Sequence, residues 1–329
     1  MKRLILLTMV LLLSLTACQI DDANIMDNDL EIIRLPMGYI PNIQYAPFYV
    51  AVEKGYFAEQ GFKLEFDYSF ETDGISLVGT SELPFAVASG EQVIMARSHE
   101  IPVVFIYNWF QGFPTAIIAL KETGVESPVD LVGREVGIPG LFGASYIGFK
   151  AIMNEVGVSE EDVTLNAIGF NQVQLVVGGQ EDIIIGYVTN EPIQLESMGY
   201  ELNVFTVSDY VQLPANGIVT NEETIENYPE KVEAFTLAFN QGLEYTINNP
   251  EEAYEISKNF VEGLDELDIE IQMQILNSSI EYWVAEILGF SPLEAWENMH
   301  AILLDMGVIR ESVDLTKVYT NEFIEKIND

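Results

Sequence analysis

From residue 31 onward, short apolar segments alternate with segments whose apolar residues recur at helical spacing. Phe48, Val52 and Phe57 share one face of a predicted helix. Pro47 suits the first turn of that helix, where its missing N–H costs no hydrogen bond. The apolar segments themselves predict four strands, at 31–36, 63–68, 83–88 and 102–107. This alternation predicts an α/β unit with a mostly parallel sheet covered by helices.

The same alternation begins again after an extended apolar segment, Thr115–Leu120. It predicts strands at 135–138, 162–168, 182–187 and 201–207, with helices at 146–157, 171–177 and 191–198. A second extended segment, Val211–Thr220, follows this unit. After it the chain is almost entirely helical, with amphipathic runs at 229–248, 250–262, 267–288 and 292–306 and a final helix at 319–327.

A chain that leaves one α/β unit, completes a second and then returns builds two lobes joined by two crossings. We therefore expect one lobe from 31–118 plus 216–329 and a second lobe from 119–215. Two lobes joined in this way form a hinge and a cleft that closes around a ligand.

The N-terminus predicts export and membrane attachment. Lys2 and Arg3 precede a short apolar run, Leu4–Leu15, which has the proportions of a signal peptide. The following Leu-Thr-Ala-Cys resembles the bacterial lipobox, in which the cysteine, here Cys18, becomes the lipidated first residue. We expect a signal peptide at 1–17, a polar tether at 18–30 and a lipid anchor on the extracytoplasmic face of the cell membrane. An ordinary signal peptide with an incidental cysteine is the alternative.

Composition narrows the classes of function. The formal net charge of −38 opposes binding to nucleic acid and does not favour anionic ligands. Cys18 is the only cysteine, so no other thiol is left for catalysis, a disulfide or a metal. The two histidines, His99 and His300, fall at a helix end and in an amphipathic helix, where structural roles are expected. We therefore predict neither a catalytic residue nor a metal site, and no cofactor beyond the ligand itself.

Candidate ligand-binding residues follow the C-terminal ends of the predicted strands, where open α/β sheets bind ligands. Aromatic side chains there form apolar walls that suit a planar heterocycle. The aromatic candidates are Tyr45, Phe48, Trp109, Phe142, Tyr146 and Tyr187. The polar candidates are Asn42, Glu71, Ser89, Glu91, Asn108, Ser145, Asn190 and Glu191. Any single aromatic residue among them also fits the core, and Glu91 also fits the first turn of a helix, where it complements the dipole.

A glycine-rich segment, Pro139–Ser145, opens the predicted helix of the second lobe. It lacks the lysine of a P-loop, and its glycines do not match the dinucleotide-binding fingerprint. Free N–H groups at this helix start can hold an oxygen-rich edge of a ligand, and a tight strand–helix turn is the alternative.

The stretch Gly38–Gly61, GYIPNIQYAPFYVAVEKGYFAEQG, resembles the start of substrate-binding proteins of bacterial ABC importers. The similar group handles thiamine-pyrimidine precursors and sulfonates. Four later stretches, at 66–74, 85–92, 137–146 and 190–193, are more similar to the riboflavin-binding lipoproteins within that group. The absence of Arg or Lys near the predicted cleft disfavours a sulfonate.

This resemblance implies a two-lobed, type II-like periplasmic-binding-protein fold over residues 31–329. It also implies a monomer that binds riboflavin or a related flavin and delivers it to an ABC permease. A thiamine-pyrimidine precursor or another small heterocycle is the alternative ligand. Pyrimidine synthases also resemble this family, but the Cys-rich motif and histidines that they use have no counterpart here. A sensor or adhesion lipoprotein is a third possibility.

Overall fold

The computed structural model describes residues 30–328, and these form two lobes. The predicted signal peptide, Cys18 and nearly all of the tether lie outside the described residues. Within 30–328, no helix combines the length and the apolar composition needed to cross a membrane.

The first lobe begins with two α/β units and ends with helices. Its strands are β1 (Glu31–Gly38), β2 (Phe62–Phe70), β3 (Ala86–Ser89) and β4 (Val103–Asn108), with α1 (Ala46–Glu53), α2 (Tyr56–Glu59), α3 (Glu71–Gly79) and α4 (Gly90–Ser98) between them. A short 3₁₀ helix, Ile43–Tyr45, precedes α1, and Pro47 lies in the first turn of α1 as predicted.

The second lobe is one continuous segment of chain. It contains β5 (Thr115–Leu120), β6 (Glu135–Ile138), α5 (Gly143–Glu155), β7 (Thr164–Ala167), α6 (Gln172–Val177), β8 (Ile183–Tyr187), α7 (Glu191–Ser197) and β9 (Leu202–Thr206). These strands form a five-stranded sheet in the order β7-β6-β8-β5-β9.

The chain then returns to the first lobe, which it completes. The returning elements are β10 (Asn216–Asn221), α8 (Glu222–Asn227), α9 (Pro229–Asn248), α10 (Pro250–Ser257), α11 (Ile269–Trp283), α12 (Leu293–Asp305) and α13 (Glu322–Asn328). Strand β10 lies between β3 and β4, and α9 packs closely on α1. Gly242 permits that approach, since a Cβ there would lie 2.3 Å from the carbonyl oxygen of Pro47.

The α/β, two-lobed periplasmic-binding-protein fold is confirmed, but its sheets are less parallel than predicted. The pairs β1–β2, β6–β7 and β6–β8 are parallel, whereas β5 and β10 are antiparallel to both of their neighbours. These two strands enter each sheet directly from the other lobe and therefore run opposite to its other strands. The chain passes from the first lobe to the second between Asn108 and Thr115, and it returns between Thr206 and Asn216. The boundaries predicted from the sequence are 118/119 and 215/216.

Two local predictions differ from the structure. The helix predicted over 267–288 ends at Trp283, because Val284 adopts an extended conformation with ψ 129°. Ser89 precedes α4 as predicted, but its side chain makes no helix-capping hydrogen bond. It bonds two carboxylates instead, and these belong to the site described below.

Candidate functional site

A cavity lies between the two lobes. The first lobe lines it with residues at the ends of β1, β2 and β4 and with the 3₁₀ helix before α1. The second lobe contributes the glycine-rich segment before α5, the loop before α6 and the end of β8. The cavity therefore lies where parallel strands end and helices begin, as open α/β sheets place their ligands.

Aromatic rings from the two lobes meet at this cavity. The ring centroids of Tyr39 and Phe170 are 4.6 Å apart, and those of Phe70 and Phe142 are 5.4 Å apart. Phe70 also approaches Phe170 at 5.6 Å. Tyr39 and Phe70 belong to the first lobe, whereas Phe142 and Phe170 belong to the second. Tyr39 meets Phe170 and Phe70 meets Phe142 edge to face, so aromatic rings of the two lobes contact one another at the cavity.

Trp109 connects the cavity to the core of the first lobe. Its ring lies 5.0 Å from Phe110, 5.9 Å from Tyr45 and 5.5 Å from Trp283. The indole Nε1–H is buried and has no hydrogen-bond partner among the described residues. Trp109 thus brings both apolar area and a buried donor to the site.

Two sets of polar contacts join the lobes at the cavity. The Tyr187 hydroxyl donates to Asn216 Oδ1 at 2.9 Å. The Gln44 amide donates to Thr189 Oγ1 of the second lobe at 2.6 Å, and within its own lobe it donates to Ser279 Oγ at 3.0 Å. All these groups are removed from water, so each bond that breaks on opening leaves polar atoms to be rehydrated.

Two carboxyl groups, Glu71 and Glu191, face the cavity, and its described lining contains no Lys, Arg or His. Burial raises the pKa of both carboxyls, while hydrogen bonds to each oppose that rise. Glu191 accepts from the Tyr187 N–H at 2.7 Å and from the Asn190 amide at 3.1 Å. The site therefore offers hydrogen-bond acceptors to a ligand and no positive charge.

Glu71 accepts three hydrogen bonds, all from groups of its own lobe. Its Oε1 accepts from the Asn216 amide at 2.9 Å, and its Oε2 accepts from the Ser89 hydroxyl at 2.5 Å and the Ser89 N–H at 3.2 Å. Gly38 makes this placement possible, because a Cβ there would lie 2.7 Å from Glu71 Cγ.

The structure places part of the predicted ligand-binding set in the lining of this cavity. The predicted residues that line it are Tyr45, Glu71, Trp109, Phe142, Ser145, Tyr187, Asn190 and Glu191. Their contact with a ligand stays a prediction.

Three other predicted residues lie elsewhere for reasons of local structure. Asn42 caps the 3₁₀ helix by accepting from the Gln44 N–H at 2.9 Å. Phe48 is fully buried in the core, with its ring 4.3 Å from that of Phe239. Tyr146 turns away from the cavity and donates to the Glu160 carboxylate.

The remaining three lie behind the lining. Asn108 is buried and donates to the carbonyl oxygen of Phe290 at 3.3 Å. Ser89 and Glu91 are fully buried next to Glu71 and do not line the cavity. Their influence on a ligand can only pass through Glu71.

Several lining residues were not among the predicted ligand-binding residues, notably Tyr39, Gln44, Phe70, Phe170 and Asn216. Phe170 follows a predicted strand, so the strand-end rule that selected Phe142 and Tyr187 applies to it equally. Tyr39 and Gln44 lie in the loop after the first strand, where the same rule holds. Asn216 begins the returning strand β10, and no pattern in the sequence distinguishes it.

The part of the chain that the structure describes contains no group of three or more His, Cys, Asp or Glu side chains arranged to hold a metal ion. His300 accepts from the Val313 N–H, and neither His300 nor His99 lines the cavity.

A family model described as NMT1/THI5-like matches residues 42–253, which include most of the cavity lining. The chain belongs to the NMT1/THI5-like family. Within this family it is 38% identical to the riboflavin-binding protein RibY of Chloroflexus aurantiacus, over 90% of this chain and 86% of that protein. It is 29% identical to a formylaminopyrimidine-binding protein of Halalkalibacterium halodurans, over 88% and 89% of the two chains.

NMT1/THI5-like relatives also include enzymes. The chain is 26% identical to a 4-amino-5-hydroxymethyl-2-methylpyrimidine phosphate synthase of Legionella pneumophila, over 89% of this chain and 92% of the synthase. Solved structures of similar fold include the nitrate-binding protein NrtA of Synechocystis, with a TM-score of 0.70 and 13% identity over 91% and 88% of the chains. The alkanesulfonate-binding protein SsuA of Xanthomonas axonopodis has a TM-score of 0.69 and 10% identity over 88% and 98%. At these identities the two structures support the fold alone.

Proposed function

We propose that this protein is the extracytoplasmic substrate-binding component of an ABC importer and that it binds riboflavin or a related flavin between its lobes. The observation that carries the proposal is a cavity walled by aromatic rings from both lobes, with carboxylate acceptors and without a basic side chain in its described lining.

A flavin matches the chemistry of this lining. Its flat ring system can stack on aromatic walls, and each aromatic pair contributes about 0.5–1.5 kcal/mol beyond burial. Its ring N–H and ribityl O–H groups can donate to Glu71 and Glu191, and hydrogen bonds to charged acceptors are stronger than neutral ones. The riboflavin-binding relative, which is similar over most of both chains, supports the same ligand class.

A thiamine-pyrimidine precursor is the alternative ligand, and the formylaminopyrimidine-binding relative supports it. A single pyrimidine ring covers less aromatic surface than a three-ring flavin, so it makes less use of walls contributed by Tyr39, Phe70, Phe142 and Phe170. An enzyme on this fold is the other class, because some relatives are synthases. The placement of both histidines outside the lining supports binding rather than that chemistry.

The ligand proposal predicts a specific thermal response. The leader-free protein, unfolded and refolded to remove carried-over ligand, should show a raised Tm and quenched tryptophan fluorescence with riboflavin. Ligand at 100 times its Kd stabilises the folded state by about 2.7 kcal/mol. Taurine serves as the sulfonate control and should give no shift. A shift with the pyrimidine precursor alone would reassign the ligand, and conversion of riboflavin during incubation would identify an enzyme.

We further propose that Cys18 carries a lipid anchor and that the tethered monomer delivers its ligand to a permease. The lipobox-like Leu15-Thr16-Ala17-Cys18 supports this placement. We expect the full-length chain, expressed in a bacterium, to incorporate labelled fatty acid and to sediment with membranes. The Cys18→Ser variant should do neither, whereas a Ser14→Ala variant should behave as wild type. Equal membrane association of the Cys18 variant would contradict the anchor.

A further inference from the structure

Two buried glutamates share a single serine hydroxyl behind the cavity wall. The Ser89 Oγ lies 2.5 Å from Glu71 Oε2, and it also makes a very short hydrogen bond with Glu91 Oε1. Ser89 and Glu91 are both fully buried. Glu71 lines the cavity, so this cluster connects a ligand-facing carboxyl to one that no ligand reaches.

A count of protons shows that the cluster is protonated. A serine hydroxyl has one hydrogen and can donate to one carboxylate at a time. If both glutamates were ionised, one of the two short contacts would join a pair of oxygen atoms with no hydrogen between them. One carboxyl group must therefore hold a proton and donate it to Ser89 Oγ.

The hydrogen-bond partners identify Glu91 as the group that holds this proton. Glu71 accepts from the Ser89 hydroxyl, the Ser89 N–H and the Asn216 amide, and three donors stabilise an ionised carboxylate. By contrast, Glu91 Oε1 accepts from the Gln92 amide at a longer 3.3 Å, and Glu91 Oε2 is buried and has no partner among the described residues. An unpaired oxygen of a neutral acid costs far less than the same oxygen in a buried carboxylate. Burial, followed by the charge of Glu71, raises the pKa of Glu91.

The groups around the cluster do not supply a balancing charge. On the helix of Glu91, the Arg97 guanidinium is bonded to Glu222 and to the carbonyl oxygen of Val103. The neighbouring α3 brings Glu71 and the exposed Asp73, β4 brings the Tyr107 phenol and β8 the Tyr187 phenol. Strands β3 and β10 carry no titratable side chain. Helices α5 and α12 also pack on α4, and their basic groups are occupied, Lys150 by Glu160 and His300 by the Val313 N–H.

We propose that Glu91 is a positioning residue whose bound proton, acting through Ser89, holds Glu71 in place as the ionised acceptor for the ligand. The hydrogen bonds then run in one direction, from the Glu91 acid to the Ser89 hydroxyl and on to the Glu71 carboxylate. Asn216 donates to the other Glu71 oxygen and accepts from Tyr187 of the second lobe, so the cluster also supports the contact between lobes. The proposal rests on the proposed ligand site, which it deepens.

Loss of this proton at alkaline pH places two like charges on either side of one hydroxyl. Repulsion then displaces Glu71 from Ser89 and Asn216, and the ligand loses its acceptor. Ligand affinity must therefore fall as the pH rises through the raised pKa of the pair. By linkage, affinity for a ligand that requires one bound proton falls by at most about tenfold for each pH unit above that pKa.

The first test is the riboflavin Kd measured from pH 6 to pH 9 for three proteins. For wild type we expect the Kd at pH 9 to exceed that at pH 6 by about tenfold. Glu91→Gln keeps an N–H donor toward Ser89 and cannot lose a proton at this position, so its Kd should not rise between pH 6 and pH 9. Glu181→Gln, which alters a buried glutamate outside the cavity, should keep the wild-type ratio. Any ionisation of the flavin affects all three proteins equally, and equal ratios in wild type and Glu91→Gln would overturn the proposal.

A second measurement requires neither a ligand nor a variant that still binds riboflavin. Infrared spectra of the wild-type protein should show the C=O stretch of a protonated carboxyl at pH 7, and this band should vanish on alkaline titration. At pH 7 the band should be weaker in Glu91→Gln than in the wild type, and its absence from the wild type at this pH would contradict the bound proton. If riboflavin fails to bind at any pH, the proposed function fails while this spectrum still decides the protonation of Glu91.

Discussion

Replacing Trp109 by alanine is expected to lower the free energy of unfolding by about 3–5 kcal/mol and to abolish riboflavin binding. The side chain is 2% exposed and lies against the rings of Phe48, Phe110, Phe239 and Trp283. Alanine leaves a large void among these rings, because they are held by their own packing and cannot fill it. The same void opens onto the ligand cavity, so stability and binding should be lost together.

Urea denaturation measures the first effect and fluorescence titration with riboflavin measures the second. Phe142→Ala is the informative counterpart, since this ring lines the same cavity but is 45% exposed. We expect it to change stability by less than about 1 kcal/mol and to weaken riboflavin binding by about tenfold. Phe290→Ala, at a similarly exposed ring outside the cavity, should change neither. A Trp109→Ala protein of wild-type stability would contradict this assignment of Trp109 to the core.

Riboflavin 5′-phosphate is expected to bind at least about 100-fold more weakly than riboflavin. The described lining holds Glu71 and Glu191 and no basic side chain, so a phosphate group has like charges as neighbours and no cation to accompany it. Opposed like charges in a binding site cost several kcal/mol, and 100-fold corresponds to about 2.7 kcal/mol. The net charge of −38 acts in the same direction at longer range.

Calorimetric titrations of both ligands at low and high salt separate the two contributions. Salt screens the surface charge and largely spares buried charges, so most of the discrimination should survive in high salt. Riboflavin and its phosphate share the same ring system, so stacking on the aromatic walls is matched between them. Comparable affinity for the two ligands would mean that the ribityl end projects into solvent and that the carboxylates do not select against charge.

The sequence was sufficient to predict the fold because its periodic pattern is strong. The alternation of strands and helices, Pro47 at a helix start and two extended crossings together predict two α/β lobes. The pattern carries no information on strand direction at the crossings, so the antiparallel placement of β5 and β10 had to come from the structure. The pairing of β10 with both β3 and β4 depends on contacts between distant segments of chain.

The candidate site was harder to predict than the fold because distance from a strand end does not fix the direction of a side chain. Ser145 and Tyr146 are adjacent, yet the first lines the cavity and the second bonds Glu160 on the far side of the helix. Successive side chains on a helix point in directions that differ by about 100°. A shift of one residue along the helix therefore turns a side chain from the cavity to the outer surface. The sequence also does not show how deeply a side chain is buried: Glu91 follows a strand end but lies behind the residues that line the cavity.

The position of β10 has a consequence for the order in which the protein folds. Strand β10 lies between β3 and β4, so the sheet that contains them is completed only after residue 221 has been synthesised and exported. The five-stranded sheet uses only residues between Thr115 and Thr206 and has every partner available earlier. Contacts between distant segments form slowly because they close long loops. The second lobe is therefore expected to fold first. Until β10 is in place the first lobe stays incompletely folded, and it is the part of the chain that chaperones bind and proteases cleave.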